Sequence, residues 1–165
     1  MGVSDDGYPS FTELKDSRGI PSERRMEEGP VAFIECVQNI PCDPCEWVCS
    51  SGAIQVGENI TALPRLIEER CNGCGACIAA CPGQAIFVVH ANYSETETLV
   101  TFPYEFVPLP REGDIVTGVN REGMPVTVGR VIKVRTGKAL DHTAVISLAI
   151  PKEFAWHVRS IMIEF

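Results

Sequence analysis

Residues 36–50 read CVQNIPCDPCEWVCS and residues 71–82 read CNGCGACIAACP, and all eight cysteines of the chain lie in these two stretches. The second has the spacing C-x2-C-x2-C-x3-C-P, from Cys71, Cys74 and Cys77 to Cys81 and Pro82. The first keeps the last three positions, Cys42, Cys45 and Cys49, but Asn39 stands where a first cysteine belongs. Cys36 is the nearest candidate, with Pro41 bending the intervening chain, and Ser50 replaces the closing proline. An offset of 32 residues carries Cys42, Cys45 and Cys49 onto Cys74, Cys77 and Cys81, and Ala53, Ile54 and Val56 onto Ala85, Ile86 and Val88. Only Cys36 breaks the offset. The stretch therefore reads as a duplicated unit with a local insertion in its first half.

Three chemistries use eight cysteines. Structural zinc sites are usually built from paired C-x2–4-C ligands, and the triple spacing closed by Cys-Pro does not match them. A disulfide scaffold needs an oxidising compartment, yet residues 1–10 are acidic and lack the apolar centre of a secretory signal. The third is iron–sulfur ligation, whose bacterial run is C-x2-C-x2-C-x3-C-P. On these motifs the stretch from Val31 to Ala91 resembles the bacterial-type ferredoxins with two [4Fe-4S] clusters. The resemblance implies that Cys42, Cys45 and Cys81, with Cys36 as fourth ligand, share cluster one. It implies that Cys71, Cys74 and Cys77, with Cys49, hold cluster two. For Cys36 the competing reading is a buried free thiol.

The resemblance implies a pseudo-twofold ferredoxin-like domain over residues 31–91, and the β-rich runs beyond it read as a docking module, residues 92–165, so that the whole is expected to be an α+β fold. In the first, strands are expected at Val31–Glu35, Ala53–Gly57 and Ala85–His90, with short helices at Asp43–Val48 and Ile78–Ala80. Gly73 and Gly75 stand between ligands, where tight turns and close approach to sulfur favour glycine; without a third glycine they are no dinucleotide fingerprint. Beyond Ala91, β-rich runs occur at Leu99–Phe106, Asp114–Val119, Val126–Arg135 and Thr143–Ile150. Pro103 marks an edge or a bulge. Ala144, Ile146, Leu148 and Ile150 share a face at period two. Pro151 suits a helix start, and a C-terminal helix is expected over Glu153–Ile163. Residues 1–30 are polar and punctuated by Pro and Gly. They read as a tail or as an arm that orders against a partner subunit through Phe11, Leu14 and Ile20.

The net charge is −8, which argues against a nucleic-acid partner, because phosphate binding needs clustered cations. The surplus belongs to residues 1–90; residues 91–165 are nearly balanced. No apolar run approaches a membrane span, and cytoplasmic location is expected. His90, His142 and His157 are dispersed, and no catalytic constellation is visible. Trp47 and Trp156 read first as packing residues and second as electron-path or interface residues. Arg130, Lys133, Arg135 and Lys138 form a positive stretch, read first as a solvated strand face and second as a docking patch.

A domain of this kind carries single electrons and is not a catalyst alone. The segments ECVQNIPCDPCEWVC, CPGQAIFVV and PREGD…VTVGRVIKV also resemble the small iron–sulfur subunits of anaerobic multi-subunit FAD-dependent dehydrogenases, including amino-acid types. That resemblance implies a hetero-oligomer with FAD- or FMN-bearing partners and a [2Fe-2S] subunit, the flavin lying outside this chain. Two other readings stand beside it, a freely diffusing ferredoxin with an accessory module and a cluster-based redox sensor.

Overall fold

The structure is a computed structural model that describes residues 2–162. Its elements follow the duplication. Strand β1 (Val31–Ile34), helix α4 (Pro44–Val48) and strand β2 (Ile54–Gln55) form the first half. Strand β3 (Arg65–Leu66), helix α5 (Ala76–Ala80) and strand β4 (Ile86–His90) form the second. The outer strands of the two halves pair, β1 with β4, and so do the inner strands, β2 with β3. Each half is thereby closed by the other.

The β1–β4 ladder has two working faces. Its register sets Ala32 opposite Val88 and Ile34 opposite Ile86, and these four line the cavities of the cysteines. The alternate residues, Phe33 and Phe87, lie beneath the Arg159 guanidinium, and Phe33 packs edge-on against Trp156. Successive side chains point to opposite faces, so a strand covered on both sides reads as an unbroken apolar run. VAFI and IFVV are such runs.

The sheet does not stop at residue 91. Strands β5 (Glu97–Tyr104), β6 (Ile115–Val119), β7 (Pro125–Arg135), β8 (Ala144–Pro151) and β9 (Ser160–Ile161) extend it in the order β1-β4-β5-β8-β7-β6-β9. All pairs among the described residues are antiparallel. One apolar core runs from Phe33 and Ile86 through Val100 and Phe102 to Ile146, Leu148 and Val158. Pro103 lies in β5 beyond its last pair with β4, where the missing N–H breaks no ladder bond to that neighbour. The architecture is mixed α and β, with short helices around a mostly antiparallel sheet.

One expectation needs correction. The C-terminal helix over Glu153–Ile163 is absent from the described residues: Lys152–Phe154 make one 3-10 turn and Ser160–Ile161 join the sheet beside β6. Ile163 lies outside the described residues. Tertiary bonds outweigh local helix preference here, because Arg159 turns inward to Glu35 and Val158 is fully buried. The N-terminal arm, moreover, orders on its own chain. Helices α1 (Val3–Asp6), α2 (Phe11–Lys15) and α3 (Glu23–Glu28) are short. Ser10 and Glu13 form a reciprocal capping box at α2, and Ser22 caps α3. Leu14 is 1% exposed, and the carbonyls of Gly19 and Arg18 accept from the amides of Ile34 and Leu66. Scattered contacts of this kind leave no periodic trace in a sequence.

Candidate metal centre

Two cavities lie under the β1–β4 ladder, each lined by four cysteines. Cys36, Cys42, Cys45 and Cys81 line the first, with Ile34, Ile40, Ala62, Pro64 and Ile86 around them. Cys49, Cys71, Cys74 and Cys77 line the second, with Ala32, Ile54 and Val88. The fold thus brings together the residues grouped from sequence. Each half lends its last cysteine to the cavity of the other, and Cys36 sits in the first cavity despite its broken spacing. All eight are unbridged thiols. Among the described residues, no three His, Cys, Asp or Glu side chains converge on a single-ion site.

The local chain explains how the thiols are held. Cys45 lies in α4 and Cys77 in α5, both buried, and Cys49 and Cys81 terminate those helices. The amide of Ala53 donates to Cys49 Sγ at 3.2 Å, and that of Ala85 to Cys81 Sγ at 3.4 Å. These bonds repeat the 32-residue offset. The amide of Ala32 adds a bond to Cys71 Sγ at 3.4 Å. Amides directed at sulfur stabilise negative charge there, as they do around iron–sulfur clusters.

Burial pushes the Cys45 thiol up to about 11 and the Cys77 thiol up to about 12, in both cases reinforced by neighbouring cysteines. Cys36 and Cys42 are also raised, by burial first and by adjacent thiols second. Cys49 is lowered: burial opposes this, but the Ser51 hydroxyl and the amides of Ile54, Ala53 and Ser51 outweigh it. Most of these thiols therefore hold their protons without a metal, and ligation must expel them. Four soft donors in an apolar cavity with inward amides fit a [4Fe-4S] cluster, for which thiolate is the usual ligand. The thiols named for each cavity would hold it.

Sequence reading missed the residues that brace this arrangement. Arg25, buried in the arm, donates to the carbonyls of Glu68, Gly29, Pro30 and Cys71, at 2.6 Å for the last. Glu68 receives the Ser22 amide and hydroxyl. Burial opposes ionisation of Glu68, yet the Ser22 bonds, with Arg24 and Arg25, hold its carboxyl below the usual range. No sequence signal marks an arginine whose partners are carbonyls as far as 46 positions away.

Gly73 and Gly75 have φ of +69° and +76°. A Cβ on Gly73 would lie 2.6 Å from Pro30 Cβ and 2.7 Å from its carbonyl oxygen. Gly73→Ala is expected to cost about 2–4 kcal/mol, from left-handed strain plus overpacking, and to disturb the second cavity first. Gly83→Ala, with open space around the new methyl and no unusual φ, is the neutral control. Denaturant titration of both variants checks the contrast, and equal stabilities would refute it.

Residues 64–87 match the family model described as a 4Fe-4S binding domain. The chain is 47% identical over 47 residues to a component of the ion-translocating oxidoreductase complex of Methanosarcina acetivorans, covering 28% of this chain and 17% of that protein. It is 32% identical over 81 residues to an uncharacterized ferredoxin of Methanocaldococcus jannaschii, covering 49% of each. It is 45% identical over 49 residues to the polyferredoxin-like subunit of an aliphatic sulfonate oxidoreductase of Pyrococcus furiosus, covering 30% of this chain and 27% of that protein. The chain thus spans half or less of these relatives. No solved structure matches it. Residues 64–87, which hold the second cysteine group, thus match a 4Fe-4S binding domain, and the relatives include proteins named as ferredoxin-type.

Proposed function

We propose that this chain is the electron-transfer iron–sulfur subunit of a larger oxidoreductase. It relays single electrons through two [4Fe-4S] clusters between a flavin-bearing dehydrogenase partner and an acceptor. One observation carries the reading: eight cysteines divide into two four-thiol cavities within one small body. When bound, each cluster supplies one-electron redox chemistry. The chain itself ligates, excludes water and directs amides at sulfur. All four thiols of each cavity are used, which leaves no protein-free position for substrate.

In this reading residues 31–91 are the two-cluster domain, and residues 92–165 extend its sheet into a docking module. Residues 1–30 brace the Cys71 loop through Arg25. A fixed partner is supported by the surface around the first cavity. Trp47, in the helix that carries Cys45, is 81% exposed, with its indole N–H anchored to Asp43 at 2.9 Å; Ile40, which lines the first cavity, and Ile60, whose carbonyl accepts from the Cys42 amide, are also exposed. A pre-oriented aromatic among apolar neighbours is the composition of an interface centre. Two relatives bear the names of oxidoreductase complex subunits, which supports assembly with other chains. Among the described residues no helix is long and apolar enough to cross a membrane.

The test is anaerobic isolation from the native source. The chain is expected to hold about eight irons with acid-labile sulfide and to migrate with a flavoprotein. Zinc without sulfide would overturn the cluster reading. A cluster-loaded chain migrating alone would overturn the subunit reading.

A further inference from the structure

The sheet face that covers the second cavity continues beyond it into an open groove. Cys74 and Gly75 line both the cavity and the groove, and Lys133 and Arg135 wall the far side. Strand register explains the placement. Val88 faces Thr101, Thr101 faces Ser147, and Ser147 faces Lys133, so the row lies on one face of the sheet. The Thr101 and Ser147 hydroxyls, 2.9 Å apart and buried, form the floor.

Two features tie the groove to electron exchange. Cys74 is the one cysteine of the eight that is exposed, so the second cavity meets solvent there. Arg135 presses against the ligand loop: a Cβ on Gly75 would stand 3.0 Å from Arg135 Nη2. Among the described residues neither Lys133 nor Arg135 has a carboxylate at ion-pair distance, whereas Arg130 on the same strand pairs with Glu97 at 3.4 Å. Two unpaired cations thus flank Cys74 on a chain of net charge −8. Local charge of this kind steers encounter against the overall field. Lys133 and Arg135 are alternate residues of one strand, roughly 6–7 Å apart along it. That span suits separate carboxylates on a partner's surface better than one compact anion.

We propose that this groove is the port at which the second cluster site exchanges electrons with a redox partner presenting a carboxylate-rich face, Lys133 and Arg135 holding that face against Cys74. The proposal rests on the reading of Cys49, Cys71, Cys74 and Cys77 as ligands. It assigns the acceptor and the apolar surface around Trp47 to different sides of the relay.

The test is an NMR titration of the cluster-loaded full chain with hexaglutamate at low ionic strength. Shifts are expected at Leu99–Thr101, Lys133–Arg135 and Ser147, and they are expected to fade as salt screens the charges. Lys133→Glu should weaken peptide binding about five-fold and Arg135→Gln about two-fold. Lys133 is exposed and, among the described residues, in no ion pair, so its variant tests the port without threatening the fold. Bound peptide should also slow delivery of an electron from the dithionite-reduced chain to Fe(III)-EDTA, which becomes Fe(II)-EDTA. Shifts elsewhere, indifference to both substitutions, or equal competition by inorganic phosphate at these residues would overturn the port. Iron and sulfide analysis separates the two levels. Both clusters present without peptide binding defeats the port alone, whereas absence of the second cluster defeats the ligand reading and the port with it.

Discussion

Glu35→Ala is expected to destabilise the protein by about 3–5 kcal/mol, the range for stripping one partner from a buried ion pair. Glu35 stands between β1 and Cys36, and its carboxylate meets two guanidinium groups. Arg121 Nε donates to Oε2 at 2.7 Å and its Nη2 to Oε1, while Arg159 Nε donates to Oε1 at 2.7 Å. Glu35 and Arg159 side chains are each 4% exposed. Burial pulls Arg159 down to about 10 even against the attraction of Glu35, and Arg121 adds to the depression. The burial cost of the charged guanidinium is offset by Glu35 first and by the Ala155 and Val158 carbonyls, which accept from Nη1. Among the described residues Arg159 Nη2 is buried with no hydrogen-bond partner, its ring contacts with Phe87 and Phe33 being a further compensation.

The same imbalance fixes the outcome of a second change. Glu35→Ala combined with Arg159→Met should recover much of the loss, because a buried pair replaced by apolar groups of similar size is often neutral. Arg121 is less buried than Arg159 and retains the Trp156 carbonyl at 2.9 Å, so it is left less exposed to penalty. Anaerobic denaturant titration reads both variants. A Glu35→Ala chain within about 1 kcal/mol of wild type would show that this triad behaves as a surface pair and does not fasten the C-terminal strands to the cysteine region.

What could be read in the sequence divides along a physical line. Ligand spacing is a local property, because thiols that share a cavity need short, fixed chain lengths between them. The close-spaced cysteine triplets, and the duplication beneath them, are therefore visible in Cys42 to Cys81, whereas the exchange of Cys49 and Cys81 between cavities is implied only by the resemblance to bacterial-type ferredoxins. Strand runs such as IFVV are visible for a related reason, since burial on both faces leaves an unbroken apolar signature. The continuation of that sheet through β5 is not. A hairpin crossing at Val88–Thr101 depends on which edge remains unpaired, and composition does not record it. The last segment fails differently. Phe154, Val158, Ile161 and Met162 carry a helical spacing, but Arg159 and the edge of β6 compete for the same residues and win. Arg25 and Glu35 are invisible because long-range polar partners obey no sequence period. Arg135 reads as a cation on a strand, while its position beside Gly75 requires the fold.

Cys49→Ala is expected to fail like Cys74→Ala and unlike Cys45→Ala, although Cys45 is its neighbour in sequence. Each substitution should remove one cluster, lowering iron from about eight to about four per chain, and the surviving cluster's EPR signal should identify the cavity. Cys36, Cys42, Cys45 and Cys81 variants should share one spectrum, and Cys49, Cys71, Cys74 and Cys77 variants the other, following the two cavities. Cys36 is the sharpest member of its group, since its spacing departs from the repeat. Its Sγ has only a 4.0 Å contact to the Gln38 carbonyl and lies half-buried beside the other three thiols. A structural thiol there would cost packing energy and no iron when replaced. Full iron content and two undisturbed signals in Cys36→Ala would remove it from the ligand set. A Cys49→Ala spectrum that matches Cys45→Ala would show that each half ligates its own cluster, and the exchange of last cysteines between halves, the feature that couples the two sites through one fold, would have to be abandoned.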